Sequence, residues 1–299
     1  MQAFQKPNIT FHPTQQNYSE YKFSIVIPTW NNLAMLRLCV ESILKNSKYK
    51  HQIIIHVNEG TDGTFEWIKT QEFDYTYSPE NAGVCYALNA MVTLAQTDYI
   101  LFINDDMYVC PNWDVALSNE VDKQINQLWY FSGTMIEPKF SSNKCAISPY
   151  DFGTSPENFK EAELLNFIEK IKPPDWFGAS WPPSIVHKEM FLKVGGFSEE
   201  FSPGMYSDPD FSMKLWNQGV RNFKGIGNSL VYHFQSKSTG RVQRNDGRKQ
   251  FAAKWKIPSS YFYKNVLLLG DVFDDNKTLK SNKDIGFYWA KLRAWWIAK

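Results

Sequence analysis

The chain has 299 residues and a formal net charge of +1, with 43% hydrophobic and 16% aromatic residues. That length makes one large domain or two small ones, with ample material for a core. The near-neutral balance excludes broad electrostatic binding of nucleic acid, and Cys39, Cys85, Cys110 and Cys145, far apart and with no CxxC pair, exclude a zinc site or disulfide framework.

The first residues lack the apolar stretch of a secretory signal, and no apolar run approaches the ~20 residues that span a bilayer. A cytoplasmic protein with reduced thiols is expected. Residues 1–21 are polar, without periodicity, and read as an arm. Phe23 to Pro28 reads as a short buried strand stopped by its proline. Leu33 to Leu44 has helical spacing, with Leu33, Leu36, Val40, Ile43 and Leu44 on one face. Gln52 to Val57 is a second strand, Thr64 to Lys69 a short helix and Tyr75 to Tyr77 a short strand. Asn81 to Gln96 reads as a helix, and Tyr99 to Ile103 as the next strand.

This alternation predicts an α/β fold, a mixed and mostly parallel sheet flanked by helices in one domain. Such sheets bind ligands outside the carboxyl ends of their strands. Three polar clusters fall there: Thr29-Trp-Asn-Asn32, Asn58-Glu-Gly60 and Asn104-Asp-Asp106. The last is the most informative, because two adjacent carboxylates repel and desolvate poorly at the end of a buried strand. Neighbouring residues on a strand point to opposite faces, so Asp105 and Asp106 cannot hold one ion while extended. At a bend they divide the labour, one taking a divalent cation and the other a sugar hydroxyl. An exposed turn capping the next segment is the alternative.

Further along, Gln127 to Met135 reads as a strand, and Ser155 to Ile171 as a helix with Ser155 as N-cap and Pro156 behind it. Trp176 to Pro183 is rich in aromatics and turn formers. Trp176 and Trp181 either stack on a sugar or pack in the core, and Asp175 at the edge is a candidate for a sugar hydroxyl. Asp208 and Asp210 open a helix near its positive dipole end, as caps or as a base that takes a proton from an attacking hydroxyl. Ser229 to Tyr232 is an apolar strand leading to His233. Residues 237–256 are basic, with Lys237, Arg241 and Arg244 as candidate phosphate contacts. Near the carboxyl end, Tyr288, Trp289, Leu292, Trp295 and Trp296 form one helical stripe beside Lys291, Arg293 and Lys299. Such a helix docks on its own domain or on a second subunit, or lies peripherally in a membrane interface.

Phe23-Ser-Ile-Val-Ile-Pro-Thr-Trp-Asn31, Val57-Asn-Glu-Gly-Thr-Asp-Gly-Thr64, Asn81-Ala-Gly-Val-Cys-Tyr-Ala-Leu-Asn89 and Asn104-Asp-Asp-Met107 occur in one order. Together they resemble the nucleotide-sugar half of inverting family 2 glycosyltransferases with the GT-A fold. Gly195-Gly-Phe197 and Tyr206-Ser-Asp-Pro-Asp210 are similar to that family's acceptor-side segments. The resemblance covers about residues 22–256. It implies a nucleotide-sugar half over 22–110, an acceptor half over 111–256 and a helical appendage over 257–299. It also implies that Pro28, Thr29, Asn31, Asn58, Glu59, Asn81, Gly83, Asn104 and Asp105 bind the nucleotide sugar. Asp106 and His233 then hold Mn²⁺ or Mg²⁺ at the diphosphate, and Asp208 or Asp210 is the base. The usual Asp after the second strand is Asn58, and the loop behind it is one residue shorter, which leaves uridine as the favoured base only.

The implied reaction moves a sugar from a nucleotide diphosphate donor to a hydroxyl of a glycan or lipid-linked sugar, serving cell-surface polysaccharide biosynthesis. A retaining transferase is the nearest alternative. A nucleotidyltransferase would want a glycine-rich basic loop after the first strand, which Pro28-Thr-Trp-Asn-Asn32 is not. A non-enzymatic carbohydrate-binding protein would need no second carboxylate pair.

Overall fold

A computed structural model describes residues 6–235, 244–281 and 283–299. Its elements, in chain order, are β1 (Thr10–His12), β2 (Ser24–Trp30), α1 (Leu33–Asn46), β3 (Gln52–Asn58), α2 (Thr64–Ile68), β4 (Asp74–Ser78), α3 (Val84–Val92), β5 (Tyr99–Phe102) and β6 (Met107–Val109). There follow α4 (Trp113–Val121), β7 (Trp129–Ile136), β8 (Ala146–Ile147), α5 (Glu161–Ile168), β9 (Trp176–Phe177), β10 (Ser184–His187), α6 (Lys188–Lys193), α7 (Ser207–Asn217), β11 (Asn222–His233), α8 (Gly247–Trp255), α9 (Ser259–Tyr261) and α10 (Ile285–Ala298).

All the described strands join one mixed sheet in the order β1-β4-β3-β2-β5-β10-β7-β11-β6, with β8 on β7 and β9 on β11. The block β4-β3-β2-β5 is parallel, as the strand–helix alternation predicts. The antiparallel strand β10 then joins β5 to β7 and carries the sheet into its second half. Period-2 alternation builds both faces. Ile25, Ile27, Ile53, Ile55, Leu101 and Ile103 pack toward α1 and α4, while Val26, Ile54, Ile100 and Phe102 pack toward α3, α6 and α7. The cysteines are free and buried. Among the described residues, no helix is long and apolar enough to cross a membrane.

Four expectations change. The amino-terminal arm is partly ordered, since β1 pairs with the edge strand β4. Pro28 does not end its strand. It lies beyond Val26, the last β2 residue paired with β5, where β2 has only β3 beside it and a missing N–H is tolerated. The helix expected from Ser155 is two pieces. A capping box closes a single turn at Pro156–Asn158, and Phe159 is extended before α5 begins at Glu161. The segment from residue 257 contributes Ile257, Phe262, Val266, Leu267 and Leu279 to the core beside α3 and α7, so only α10 stands outside as an appendage.

Two close approaches bring the halves together. Gly83 has φ +77°, and a Cβ there would lie 2.8 Å from Pro203 Cα, while Val84 N donates to Pro203 O at 3.0 Å. Asn89 pairs with the backbone of Phe197, Oδ1 accepting and Nδ2 donating at 2.8 Å each. Gly83→Ala must adopt a left-handed conformation and push the 203 loop away. The expected loss is about 1–3 kcal/mol, visible as a Tm several degrees lower in thermal denaturation. An unchanged Tm would mean that this approach does not fix the loop.

Candidate active site

A cavity of about 630 Å³ opens at the carboxyl ends of β2, β3 and β5. Pro28, Thr29 and Trp30 from β2, Asn58 from β3, and the Asn81–Gly83 loop form one wall. The bend Asn104-Asp-Asp106 forms the floor, and Trp181, the 203–205 loop and Asp208 stand opposite. Glu137 and His233, at the ends of β7 and β11, close the side.

The bend turns the two carboxylates in different directions. Asp105 faces β2, where its Oδ2 accepts from Thr29 Oγ1 at 2.7 Å. Asp106 faces β11, with its Oδ2 3.4 Å from His233 Nε2. The other imidazole nitrogen, Nδ1, lies 2.9 Å from Glu137 Oε1, and Glu137 also accepts from Ser141 Oγ at 3.0 Å. Burial opposes a charge on His233, but the Asp106 and Glu137 carboxylates outweigh it and raise the imidazole to about 10. Burial likewise raises Glu137, and its bond to His233 overcomes this and holds the carboxyl below its ordinary range.

This donor set fits a hard divalent cation completed by substrate oxygens. Glu137 fixes the ring and leaves Nε2 directed at Asp106, the carboxylate–histidine arrangement that orients metal ligands. Among the described residues no group of three or more His, Cys, Asp or Glu is arranged to hold a metal ion by itself. Asp106 and His233 are the residues that could contribute to holding one, with the remaining positions left to ligands from outside the protein.

Asp208 reaches the cavity from the first turn of α7, and burial pushes its carboxyl up to about 7. Asp210 does not reach it, which corrects its expected place in catalysis. Residues two positions apart on a helix are separated by roughly 200°, so the pair cannot face one site. Asp210 is fully buried on the other side, where Oδ1 accepts from Trp255 Nε1 and pairs with Lys254 Nζ, both at 2.8 Å.

Other expected contacts also lie away from the cavity. Trp176 is buried against Gly225 and donates Nε1–H to Thr134 Oγ1 at 2.9 Å. Asp175 pairs with Lys224 at 2.9 Å and accepts from Gly227 N, a structural tie rather than an acceptor contact. Asn31 and Glu59 do not line the cavity but bond each other at 2.9 Å, and Asn31 Oδ1 accepts from Thr61 N. Arg244 is exposed and does not line the cavity, while Lys237 and Arg241 lie outside the described residues. Asn58 lines the cavity, but its side chain ties strand ends together: Nδ2 donates to Thr29 O at 3.1 Å, and Oδ1 accepts from Ala82 N at 2.8 Å. Glu137 was missed. It directly follows β7, so the rule that singled out polar residues at strand ends would have found it.

Residues 24–144 match the family model described as Glycosyl transferase family 2. The O-antigen biosynthesis protein RfbC of Myxococcus xanthus is 24% identical over 71% of this chain, and the chain covers 17% of RfbC. An uncharacterized protein of Sinorhizobium fredii, y4gI, is 26% identical over 76% of this chain, which again spans only 26% of the relative. Among solved structures, S. aureus TarS 1–349 in complex with UDP-GlcNAc superposes with a TM-score of 0.55 at 14% identity, over 78% of this chain and 66% of that one. GalNAc-T7 with UDP, GalNAc and Mn²⁺ gives 0.56 at 15% identity, over 83% of this chain and 50% of that one. The sheet and these superpositions define the class of fold, a GT-A-type α/β sheet, and the matched region is similar to family 2 glycosyltransferases. More particularly, residues 24–144, which carry the β2–β3 wall and the Asp105–Asp106 bend, are the part that matches family 2.

The environment of Asp208 has a cost in stability. Its folded pKa lies above the unfolded 3.8, so between about pH 4 and 7 the folded chain binds more protons than the unfolded one. Stability from this group therefore falls as pH rises through that window. Asp208→Asn is expected to be more stable than the parent at pH 8, with the difference shrinking toward pH 4. Urea denaturation of both proteins at several pH values reads this directly, and a pH-independent difference would contradict it.

Proposed function

We propose that the chain is a metal-dependent inverting glycosyltransferase. It moves a sugar from a UDP-linked donor to a hydroxyl of a glycan or lipid-linked sugar in polysaccharide biosynthesis. The observation that carries this reading is the convergence of Asp105, Asp106, His233 and Asp208 on one cavity at strand ends. The uridine donor is supported by TarS with UDP-GlcNAc and GalNAc-T7 with UDP, and the pathway by RfbC, described as an O-antigen biosynthesis protein.

Each group has a distinct task. Thr29 orients Asp105, which accepts hydrogen bonds from the ribose of the donor. Asp106 and His233 would hold the cation, His233 giving up its Nε2 proton to do so, and Glu137 fixes the imidazole ring. When bound, Mn²⁺ or Mg²⁺ supplies the positive charge that stabilises the leaving diphosphate. Asp208 takes the proton from the acceptor hydroxyl while that oxygen bonds to the anomeric carbon and the carbon–phosphate oxygen bond breaks. Attack opposite the leaving group inverts the anomeric centre. Trp181 lines the cavity, and its aromatic face would stack on sugar C–H bonds of the acceptor.

Purified protein with a UDP-sugar, Mn²⁺ and an acceptor should release UDP. Asp208→Asn should lower kcat by about 10²–10⁴-fold with the donor still bound. The kcat/KM of the parent should rise with pH and level off above about 7, as Asp208 loses its proton. Activity that survives both Asp106→Ala and chelation would overturn the metal role, and a product of unchanged anomeric configuration would overturn inversion.

A further inference from the structure

α10 has two apolar faces, and the fold uses only one. Its inward face is small: Ala290 and Ala294 are buried, and Phe287 packs against the core beside α8. The outward face carries Ile285, Tyr288, Trp289, Leu292, Trp295 and Trp296, all exposed, with Trp289 and Trp296 each at 65%. At ~100° per residue these six fall within an arc of about 120°. They are six of the fifteen large apolar side chains exposed among the described residues, whereas no other helix or strand carries more than one of the rest. A contiguous patch of this kind is what a soluble surface ordinarily avoids.

The charges around the patch say what covers it. On the same helical projection, Lys291 and Arg293 fall on opposite borders of the arc, and Lys299 lies at its end, with Nζ 3.3 Å from the centre of the Trp295 ring. The sequence of α10 contains no acidic residue, and Asp284 just before it is spent capping Phe287 N at 3.0 Å. Lys249 of α8 reaches the carboxyl end of the helix, donating to Lys299 O at 2.8 Å. Two copies pairing through this face would set cations against cations with no carboxylate on either helix. An anionic lipid surface meets the same pattern favourably. Tryptophan and tyrosine rings settle at headgroup level, aliphatic side chains enter the acyl boundary, and bordering lysine and arginine reach back to phosphate.

We propose that the outward face of α10 docks the protein peripherally on an anionic membrane. Gly247, at the start of α8, packs against Met205 of the cavity rim, so the tryptophan end of α10 lies on the Asp208 side of the site. The docking itself does not depend on the proposed reaction, and its test reads binding rather than turnover.

The test uses phosphatidylcholine vesicles with and without phosphatidylglycerol, scored by co-sedimentation and by quenching of tryptophan fluorescence with brominated lipid. The full chain should bind the phosphatidylglycerol vesicles, more weakly as salt rises. Trp289→Ser/Trp296→Ser should weaken binding by about tenfold or more. Lys291→Glu/Arg293→Glu, which removes the Lys291 contact over the Phe287 ring but keeps every apolar side chain of the patch, should weaken it comparably and abolish the lipid preference. Circular dichroism checks that each variant keeps its fold. No binding by the parent, or equal binding by the charge-reversed variant, overturns the proposal. So does a parent dimer that the tryptophan variant dissociates, which would assign the face to a second copy.

Discussion

The bend between β5 and β6 is the constraint on which the site depends. β5 lies at the centre of the sheet, between β2 and β10, whereas β6 lies at its far edge on β11. Four residues, Ile103 to Asp106, carry the chain from one to the other. A backbone that turns this sharply cannot present successive side chains alternately as a strand would, so Asp105 and Asp106 diverge toward the two halves of the sheet. Phe234 N donates to Asp106 O at 3.0 Å, which locks the bend to the strand bearing His233. Repulsion between adjacent carboxylates is thereby relieved locally, by Thr29 on one side and by the imidazole on the other. The same bend divides their work under the proposed function.

A second pair of carboxylates is divided by helix geometry instead of a bend. In α7 the proline between Asp208 and Asp210 suits the first turn, and the helical rotation sends the two acids to opposite sides. Asp210, with Lys254 and Trp255 around it, anchors α7 to α8. That anchor holds the start of α7 still, and with it Asp208. The Gly83–Pro203 contact fixes the preceding loop from the other side. One acid thus serves packing so that the other can occupy a desolvated position, where its raised pKa suits the base it is under the proposed function.

Elements with strong local periodicity were legible in the sequence: β2 to β5, α1 and α3, and the three polar strand ends that meet at the cavity. What could not be read depended on distant partners. The Thr10–His12 strand exists because β4 offers an open edge. β10 is placed by antiparallel pairing with strands about 50 and 80 residues earlier, which no local pattern encodes. Trp176 and Asp175 were chosen for their chemistry, but their partners Thr134 and Lys224 are remote in sequence and draw them into the scaffold. Asp210 is different. Its spacing from Asp208 on a predicted helix already implies opposite faces.

The departure at Asn58 has a physical rationale in its surroundings. The side chain must donate to Thr29 O and accept from Ala82 N, and His56 Nε2 lies 3.3 Å from the same Oδ1. An aspartate could only accept, and would set a negative charge against the Thr29 carbonyl oxygen. Nor would His56 compensate, since burial lowers it to about 4 and keeps it neutral. Asparagine is therefore the residue type that satisfies both partners, joining β2, β3 and the loop before α3 at the cavity wall. With its amide committed at both ends, Asn58 has little capacity left to read a base. Under the proposed function, selectivity for uridine then rests on the shape set by Pro28, Thr29 and Trp30 and on backbone groups around them, and Asn58 acts by holding that wall in place.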